Sequence, residues 1–588
     1  MSKLSKFKKK IIKDTEIPFS FDQESWMAGF IAGLKHKSNE TNENSSENKT
    51  SNNILKLNIL FGTETGNAEG VAEDLSKVAT DNGFKAKVDA LDDISIDQFS
   101  AMKNVAIITS TYGEGEMPGN AQLFWDSLSS ETVPKLNSMN YSVLALGDTS
   151  YDEFCHAGKL IDDRLEKLEA RRILDRIDCD VDFEDLSEKW ISTIITKLNP
   201  KKNKEFETEK PNKENDKLWN RKNPFEAEII SSKLLSGPNS KKEIMHYEID
   251  LGNSGLVYEV GDSLSIIPKN KIKLVKNILK RLGVDNTYIP EGYENNIEKL
   301  LKDNYEILTP TKKFIEHIEK NSNDKELSDA IKNNDNKALE NYKWGKDVLD
   351  FMNVNAKLKF NVEKFLNLLR PLQHRTYSIS SSINKFKNQV HLTISSVRWS
   401  NKFRNYNGVC STYLADECDT KTKIKIFFTP NNSFRLPKEK NKDIIMIGPG
   451  TGIAPFRAFL QERQIQKSKG KSWLFFGDQT KDNDFIYEKE LKQMIEEGIL
   501  TKLDLAFSRD QEEKIYVQHK MYENKQELFK WIDNGAFIYV CGDMTYMAKD
   551  VENMLINIIS VEKKCTEDDA INYLKDLKRE KRYLRDVY

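Results

Sequence analysis

Short apolar runs alternate with helix-spaced stretches over residues 54–199, and that alternation predicts an open parallel α/β sheet. ILKLNILFG (54–62), NVAIITSTYG (104–113) and YSVLALGD (141–148) are its strand runs. Between 223 and 440 the pattern changes. FEAEIISSKLL, KKEIMHYEIDL, QVHLTISSVRW and TKIKIFFTP are strand-like, with Gly, Pro and Asn turns between them, which predicts a β-barrel. Within that region, about 270–367 is richer in Lys, Leu, Glu and Asn at helical spacing, a helical insertion. From 441 the α/β signal returns in DIIMIGPG, WLFFGD, LDLAFS and AFIYVCGD, buried-strand runs separated by helices.

Two polar stretches, 36–53 and 200–222, read as linkers. Ahead of the first, residues 1–13 are basic, and the apolar patch from Trp26 to Leu34 is too short for a signal peptide. Residues 21–35 predict an amphipathic helix, capped by Asp22, with Trp26, Phe30 and Leu34 on one face. That face packs on its own chain or docks on a partner. The expected segments are 1–53 (helix and linker), 54–199 (first α/β domain), 200–222 (charged linker), 223–440 (barrel with insertion) and 441–588 (second α/β domain).

Charge and composition narrow the chemistry. The 588 residues carry 90 Lys and Arg against 92 Asp and Glu, so no global basic field for nucleic acid is expected. No run reaches the roughly 18 apolar residues of a membrane helix. Six cysteines without a C-x-x-C pair, and seven scattered histidines without H-E-x-x-H, give no expectation of a metal site. A reduced, cytoplasmic enzyme is the expectation that remains.

In the first α/β domain, polar and glycine-rich turns fall at the strand carboxyl ends, where open sheets bind ligands. Thr63-Glu64-Thr65-Gly66-Asn67-Ala68 leads into a helix and offers hydroxyls and backbone N–H groups to an anion. It lacks the Lys of a triphosphate loop, so a flavin monophosphate fits better. Ser110-Thr111-Tyr112-Gly113 and Leu146-Gly147-Asp148-Thr149-Ser150-Tyr151-Asp152-Glu153-Phe154-Cys155 follow two further strands. Tyr112 and Tyr151 are candidates to sandwich a flat ring. In the last domain, Gly448-Pro449-Gly450-Thr451-Gly452 follows a strand and precedes a helix, as a pyrophosphate turn does.

These motifs resemble the NADPH-dependent diflavin reductases. Residues 54–199 resemble their flavodoxin-type FMN domain, and 441–588 their ferredoxin–NADP reductase-like nicotinamide domain. Arg375-Thr376-Tyr377-Ser378 is similar to the family's Arg-x-Tyr-Ser segment on the FAD barrel, whose Arg meets the pyrophosphate. Thr393-Ile394-Ser395 and Gly408-Val409-Cys410-Ser411 match two further FAD loops, and Trp399 stands where the family has a FAD-contacting Tyr. The tail KRYLRDVY, the segments WLFFG, SRDQ and MAKD, and the front segment FDQESWMAGFIAGL most resemble the flavoprotein subunits of NADPH–sulfite reductases.

The resemblance implies FMN, FAD and NADPH as cofactors. It implies NADPH contacts at Gly450, Thr451, Ser508, Arg509, Lys514-Ile515-Tyr516-Val517-Gln518 and Asp550, with Arg509 and Lys514 on the 2′-phosphate. Ser378, Cys541 and Asp586 would surround the hydride-transfer locus, and Tyr588 would cover the flavin face that nicotinamide must reach. Electrons would pass from NADPH to FAD to FMN and on to a haemoprotein (beta) subunit carrying sirohaem and an iron–sulfur cluster, for sulfite reduction. The N-terminal segment would serve self-association. Another acceptor, a haem monooxygenase or methionine synthase, is the alternative.

Overall fold

The computed structural model describes residues 55–64, 66–113, 115–149, 151–198, 219–333, 335–401 and 404–588. The expected helix at 21–35, the linker at 36–53, most of the linker at 200–222, and Thr65 and Ser150 lie outside the described residues.

Three sheets organise the chain from Leu55 onward. The first holds β1 (Lys56–Gly62), β2 (Lys85–Ala90), β3 (Asn104–Ser110), β4 (Asn140–Leu146), β5 (Arg171–Arg172) and β6 (Ile177–Cys179). Its order is β2-β1-β3-β4-β5, with β6 also on β4, and every pairing is parallel. β1, β3 and β4 are apolar because helices cover both faces. The helix Asn67–Asp81 shows why: Ala68, Val71, Ala72, Leu75 and Ala79 fall on one buried stripe. β2 carries two lysines and is half-exposed, the signature of an edge strand, and its KAKVDA had no apolar run to announce it.

The second sheet is antiparallel: β7 (Phe225–Leu234), β8 (Ile244–Asp250), β9 (Ser263–Ile267), β10 (Arg375–Ser378), β11 (Gln389–Ser395) and β14 (Lys423–Thr429), in the order β10-β9-β14-β7-β8-β11. A bridge between Ile379 and Leu392 joins the region just past β10 to β11, so the two edges meet and the sheet closes. Seven helices from Ile272 to Leu368 intervene between β9 and β10 and bury their own core, including Phe314, Phe351 and Phe365. The short hairpin β12 (Arg398–Ser400) and β13 (Asn405–Asn407) stands beside this insertion.

The third sheet is parallel, β15 (Ile444–Ile447), β16 (Ser472–Asp478), β17 (Lys502–Phe507), β18 (Phe537–Gly542) and β19 (Tyr583–Val587), in the order β17-β16-β15-β18-β19. The order reverses at β15, which places a ligand crevice at its carboxyl end. β19 is the strand that runs into the chain's last residues.

Candidate active site

At the carboxyl end of β1, Gly66 has φ +86°, and its N–H donates to Thr63 Oγ1 at 3.0 Å. Asn120 Oδ1 accepts the Thr63 N–H at 2.7 Å, so the second loop braces the first. A Cβ on Gly66 would stand 2.6 Å from the carbonyl oxygen of Pro430, beyond the end of barrel strand β14. The first loop therefore faces the barrel, and only glycine fits there. Asn67 and Ala68 open the helix without a side-chain cap, which leaves its first N–H groups available to an anion.

The other two loops divide between scaffold and surface. Ser110 donates to the carbonyl oxygen of Gly62, and Thr111 Oγ1 accepts the Ala157 N–H. Tyr112 packs on the core of the third sheet's domain, and Gly113 takes φ +56° in the turn. In the third loop, Leu146 and Cys155 are buried, with the thiol on the Ala145 carbonyl. A Cβ on Gly147 would meet that cysteine at 2.9 Å. Thr149 is tied to Asp180, and both Asp148 carboxylate oxygens accept from the single Arg370 nitrogen Nη1, at 2.7 and 2.9 Å. Tyr151, Asp152 and Glu153 are exposed, and Phe154 is half-buried. The Tyr112 hydroxyl and Asn120 Nδ2 are buried without a hydrogen-bond partner among the described residues. Exposed and half-buried rings, orphan polar atoms and a bare helix start fit a flat ring with a phosphate tail.

On the barrel, Arg375 reaches the fully buried Glu306 at 3.2 Å, and Thr376 shares a hydroxyl contact with Ser265. Tyr377 packs against the barrel core beside Cys410, and burial pushes its phenol up. Thr393 and Ile394 point to opposite faces of β11: Thr393 Oγ1 is 2.6 Å from Tyr487 Oη of the last domain, and Ile394 lies in the barrel core. Any contact they make with a cofactor comes from the backbone, while Ser395 is half-buried at the strand end. Gly408 caps the helix Val409–Glu417, where Val409 and Cys410 are buried and Ser411 Oγ accepts the Val397 N–H.

Trp399 stacks on Tyr406 with ring centroids 5.4 Å apart and planes 5° from parallel. Cavities of about 800 and 660 Å³ meet there, sharing Leu308, Arg398 and Trp399. Gly345 and Lys346 of the insertion line the second. The sequence offered no signal for these insertion residues, because helical spacing carries no motif.

At β15, Gly450 has φ +59°, and a Cβ on Gly452 would fall 2.2 Å from the Cys541 carbonyl oxygen. Thr451 borders the same turn. Asp478, ending β16, takes Lys242 at 2.5 Å, yet its Oδ2 is buried without a partner among the described residues. Sequence reasoning missed this pair, which spans 236 positions. Ser508 follows β17; Arg509, Lys514 and Tyr516 are exposed, Ile515 is half-buried, and Val517 and Gln518 are buried. Gln518 Nε2 donates to Asp550 at 3.1 Å.

Ser378, Cys541 and Asp586 converge from three elements. Ser378 Oγ donates to Asp586 Oδ2 at 2.6 Å, and Cys541 Sγ approaches the same oxygen at 3.7 Å. Burial raises the Asp586 carboxyl, and the two donors offset part of that rise. Burial and then the Asp586 charge hold the Cys541 thiol well above its usual value, so it remains a donor. The Tyr588 N–H bonds to Gly542, its carbonyl accepts the Met544 N–H, and its Oη lies 3.1 Å from Thr451 Oγ1. The residue as a whole is 61% exposed.

One cluster had no sequence spacing to reveal it. His246 Nε2 lies 3.5 Å from Glu248 Oε1, and His391 pairs with Glu248 in the β8–β11 register. Burial and then Arg457 push the two imidazoles down, to about 4 for His246 and about 3 for His391. The guanidinium 3.5 Å from His391 Nδ1 opposes a cation there.

A phosphate-type cradle, a barrel cavity at Trp399 and a Ser–Asp–Cys cluster where barrel and last sheet meet are the parts of a two-flavin nicotinamide reductase. Family models match in the same order: Flavodoxin over residues 59–190, FAD binding domain over 218–413 and Oxidoreductase NAD-binding domain over 446–553. The sulfite reductase (NADPH) flavoprotein alpha-component of Bacillus subtilis is 37% identical, over 96% of this chain and 95% of its own. Its counterparts in Mannheimia succiniciproducens and Vibrio parahaemolyticus are 38% identical, covering 96% of each chain, and 37% identical, covering 98% and 94%. The chain belongs to the sulfite reductase (NADPH) flavoprotein alpha-component family. It is an NADPH-dependent oxidoreductase with FMN, FAD and NADPH as cofactors. No described helix is long and apolar enough to cross a membrane.

Proposed function

We propose that this chain delivers NADPH electrons, by way of FAD and then FMN, to a separate haemoprotein subunit that reduces sulfite to sulfide. The observation that carries the reading is the convergence of Ser378, Cys541 and Asp586, because barrel and nicotinamide-type sheet meet there and nowhere needs polar groups more than a hydride crossing. The names of the relatives support sulfite as the end substrate.

The bound flavins supply the conversion of a two-electron donor into one-electron deliveries. The chain's residues position and protonate. Asp586 orients the Ser378 hydroxyl and the Cys541 thiol and accepts or returns a proton at its carboxylate. Arg375 pairs a pyrophosphate at the barrel, and Trp399 offers an aromatic face beside it. Thr63, Gly66, Asn67 and the Ser110–Gly113 loop hold a phosphate and ring, with Tyr112 and Tyr151 on either side. Gly450 and Thr451 take the nicotinamide coenzyme's phosphates, and Arg509 and Lys514 its 2′-phosphate. Tyr588 covers the ring that nicotinamide must reach and swings aside before transfer. Residues 1–53 serve association with further copies and with the haemoprotein. Six free cysteines support a reducing, cytoplasmic setting.

The test is isolation of the native complex, with its absorbance spectrum and flavin content. A sirohaem partner and equal FMN and FAD are expected. A different haem partner would move the chain to a reductase serving another acceptor, and one flavin alone would end the two-flavin reading. Deleting residues 1–35 should spare cytochrome c reduction and release the haemoprotein on size-exclusion chromatography.

A further inference from the structure

β19 carries two charged residues in succession. Asp586 turns toward Ser378 and Cys541. Arg585, on the other face of the strand by the alternation of side chains, turns toward the flavodoxin-like domain. Its Nη1 lies 3.1 Å from Glu552, a carboxylate also held by Lys578 at 2.8 Å and by the Tyr583 hydroxyl at 3.3 Å. Its Nη2 comes within 3.3 Å of the point a Cβ on Gly119 would occupy, and Glu64 Oε2 comes within 3.1 Å of the same point. That Glu64 oxygen accepts the Gly119 N–H at 2.7 Å. Burial raises the Glu64 carboxyl, and among the groups that pull it back Arg585 comes first. The surrounding contacts point the same way. Lys581, just before β19, pairs with Asp93 at 2.9 Å, and Lys575, on the preceding helix, pairs with Asp126 at 3.2 Å.

We propose that Arg585 is a positioning residue that makes the order of β19 depend on docking of the flavodoxin-like domain. While that domain is docked, the guanidinium pairs with Glu552 and stands near Glu64, whose charge attracts it across the Gly119 loop. The strand is then pinned, Asp586 stays on Ser378 and Cys541, and the backbone of Tyr588 stays on Gly542. When the domain leaves, Arg585 keeps Glu552 alone, and the last residues loosen. Electron delivery out of the protein thereby eases the displacement of Tyr588 that the next nicotinamide requires. The inference rests on the function proposed above, and it adds a link between the two ends of the electron path.

Hydrogen exchange of the full-length, flavin-loaded protein at low ionic strength tests it, read at the amides of Val587 and Tyr588. Glu64→Gln should speed that exchange about fivefold and Arg585→Gln at least as much, since it also gives up Glu552, and the double variant should add nothing to Arg585→Gln, because Glu64 acts only through that guanidinium. High salt should reproduce the effect in the wild type and not in the variants. Arg585→Lys, which keeps the charge, should fall between and serves in place of the glutamine variant if that one does not fold. Unchanged exchange in Glu64→Gln, or effects that multiply in the double variant, would overturn the inference. Flavin content of the same samples separates the two readings: unchanged exchange with both flavins present defeats only this link, whereas a wild type carrying one flavin defeats the proposed function.

Discussion

Cys541 and Asp586 stand opposite each other in the parallel register of β18 and β19, with the sulfur 3.7 Å from the carboxylate oxygen that also takes the Ser378 hydroxyl. The two residues are 45 positions apart in the chain. Because Cys541 is fully buried and faces a carboxylate, its proton stays on sulfur. The pair thus presents a thiol and a hydroxyl as donors to one acceptor, a fixed arrangement that needs no rearrangement when charge develops nearby.

Replacing that acceptor is the first expectation. Asp586→Asn keeps the shape and removes the charge, and should slow FAD reduction by NADPH about a hundredfold, within the range for a positioned acid–base group. Cys541→Ser, which leaves a donor in place, should cost far less. Stopped-flow absorbance with deuterated NADPH reads both. Equal effects would mean that the carboxylate only packs.

Tyr588→Ala should shift coenzyme preference toward NADH. The exposed residue has one side-chain hydrogen bond, to Thr451, so its hold on a flavin comes from stacking, worth about 1–3 kcal/mol. NADPH has 2′-phosphate contacts to help displace the ring, and NADH gains more when the competitor goes. Steady-state kinetics with both coenzymes measure the ratio; a ratio equal to wild type would make Tyr588 a packed chain end.

Arg509→Ala should lower NADPH affinity about tenfold and leave NADH unchanged, since a charge-assisted contact contributes roughly 1.5–3 kcal/mol. The exposed position of Arg509 after β17 leaves the fold intact. Calorimetric titration with both coenzymes decides it, and a parallel loss for both would place the 2′-phosphate elsewhere.

Asp92 sets a pH dependence of stability. Burial raises its carboxyl to about 6, against a usual value of 3.8, despite the hydrogen bond from the Phe124 N–H. A raised carboxyl favours the protonated fold. Its contribution is therefore complete below about pH 4 and lost as pH rises through about 6. Asp92→Asn keeps the Phe124 bond without the charge, and should flatten the loss of thermal stability between acid and alkaline buffer by on the order of 1 kcal/mol. An unchanged pH profile in scanning fluorimetry would assign the slope to other groups.

Strands with an uninterrupted apolar run were legible in the chain itself: β1, β3, β4 and four of the five strands of the last sheet coincide, to within one residue at the start, with the runs read from pattern. Two edge strands, β2 and β19, escaped. β2 alternates lysine with small residues, and β19 is short and charged, because an edge strand needs apolar residues on one side only. The Gly66, Gly450 and Arg375–Ser378 motifs were readable because each packs its chemistry into a few consecutive residues. Asp148 with Arg370, Lys242 with Asp478, and Gly345 beside Trp399 were not, since their members are 222, 236 and 54 positions apart.

By itself, then, the order of residues determined the sheet types, the helical insertion and the glycine-bearing turns, all of which depend on local period and short-range backbone geometry, while the candidates for the hydride centre came from the family resemblance. Only the tertiary structure decided which strands neighbour which. That choice put Cys541 opposite Asp586 and brought Ser378 from the barrel onto the same oxygen. It turned Thr393 onto Tyr487 and Ile394 into the barrel core, and set Arg585 against the loop of Glu64. Such pairings follow from how whole sheets bury their apolar faces against one another, an energy spread over the entire core that no short stretch of chain contains.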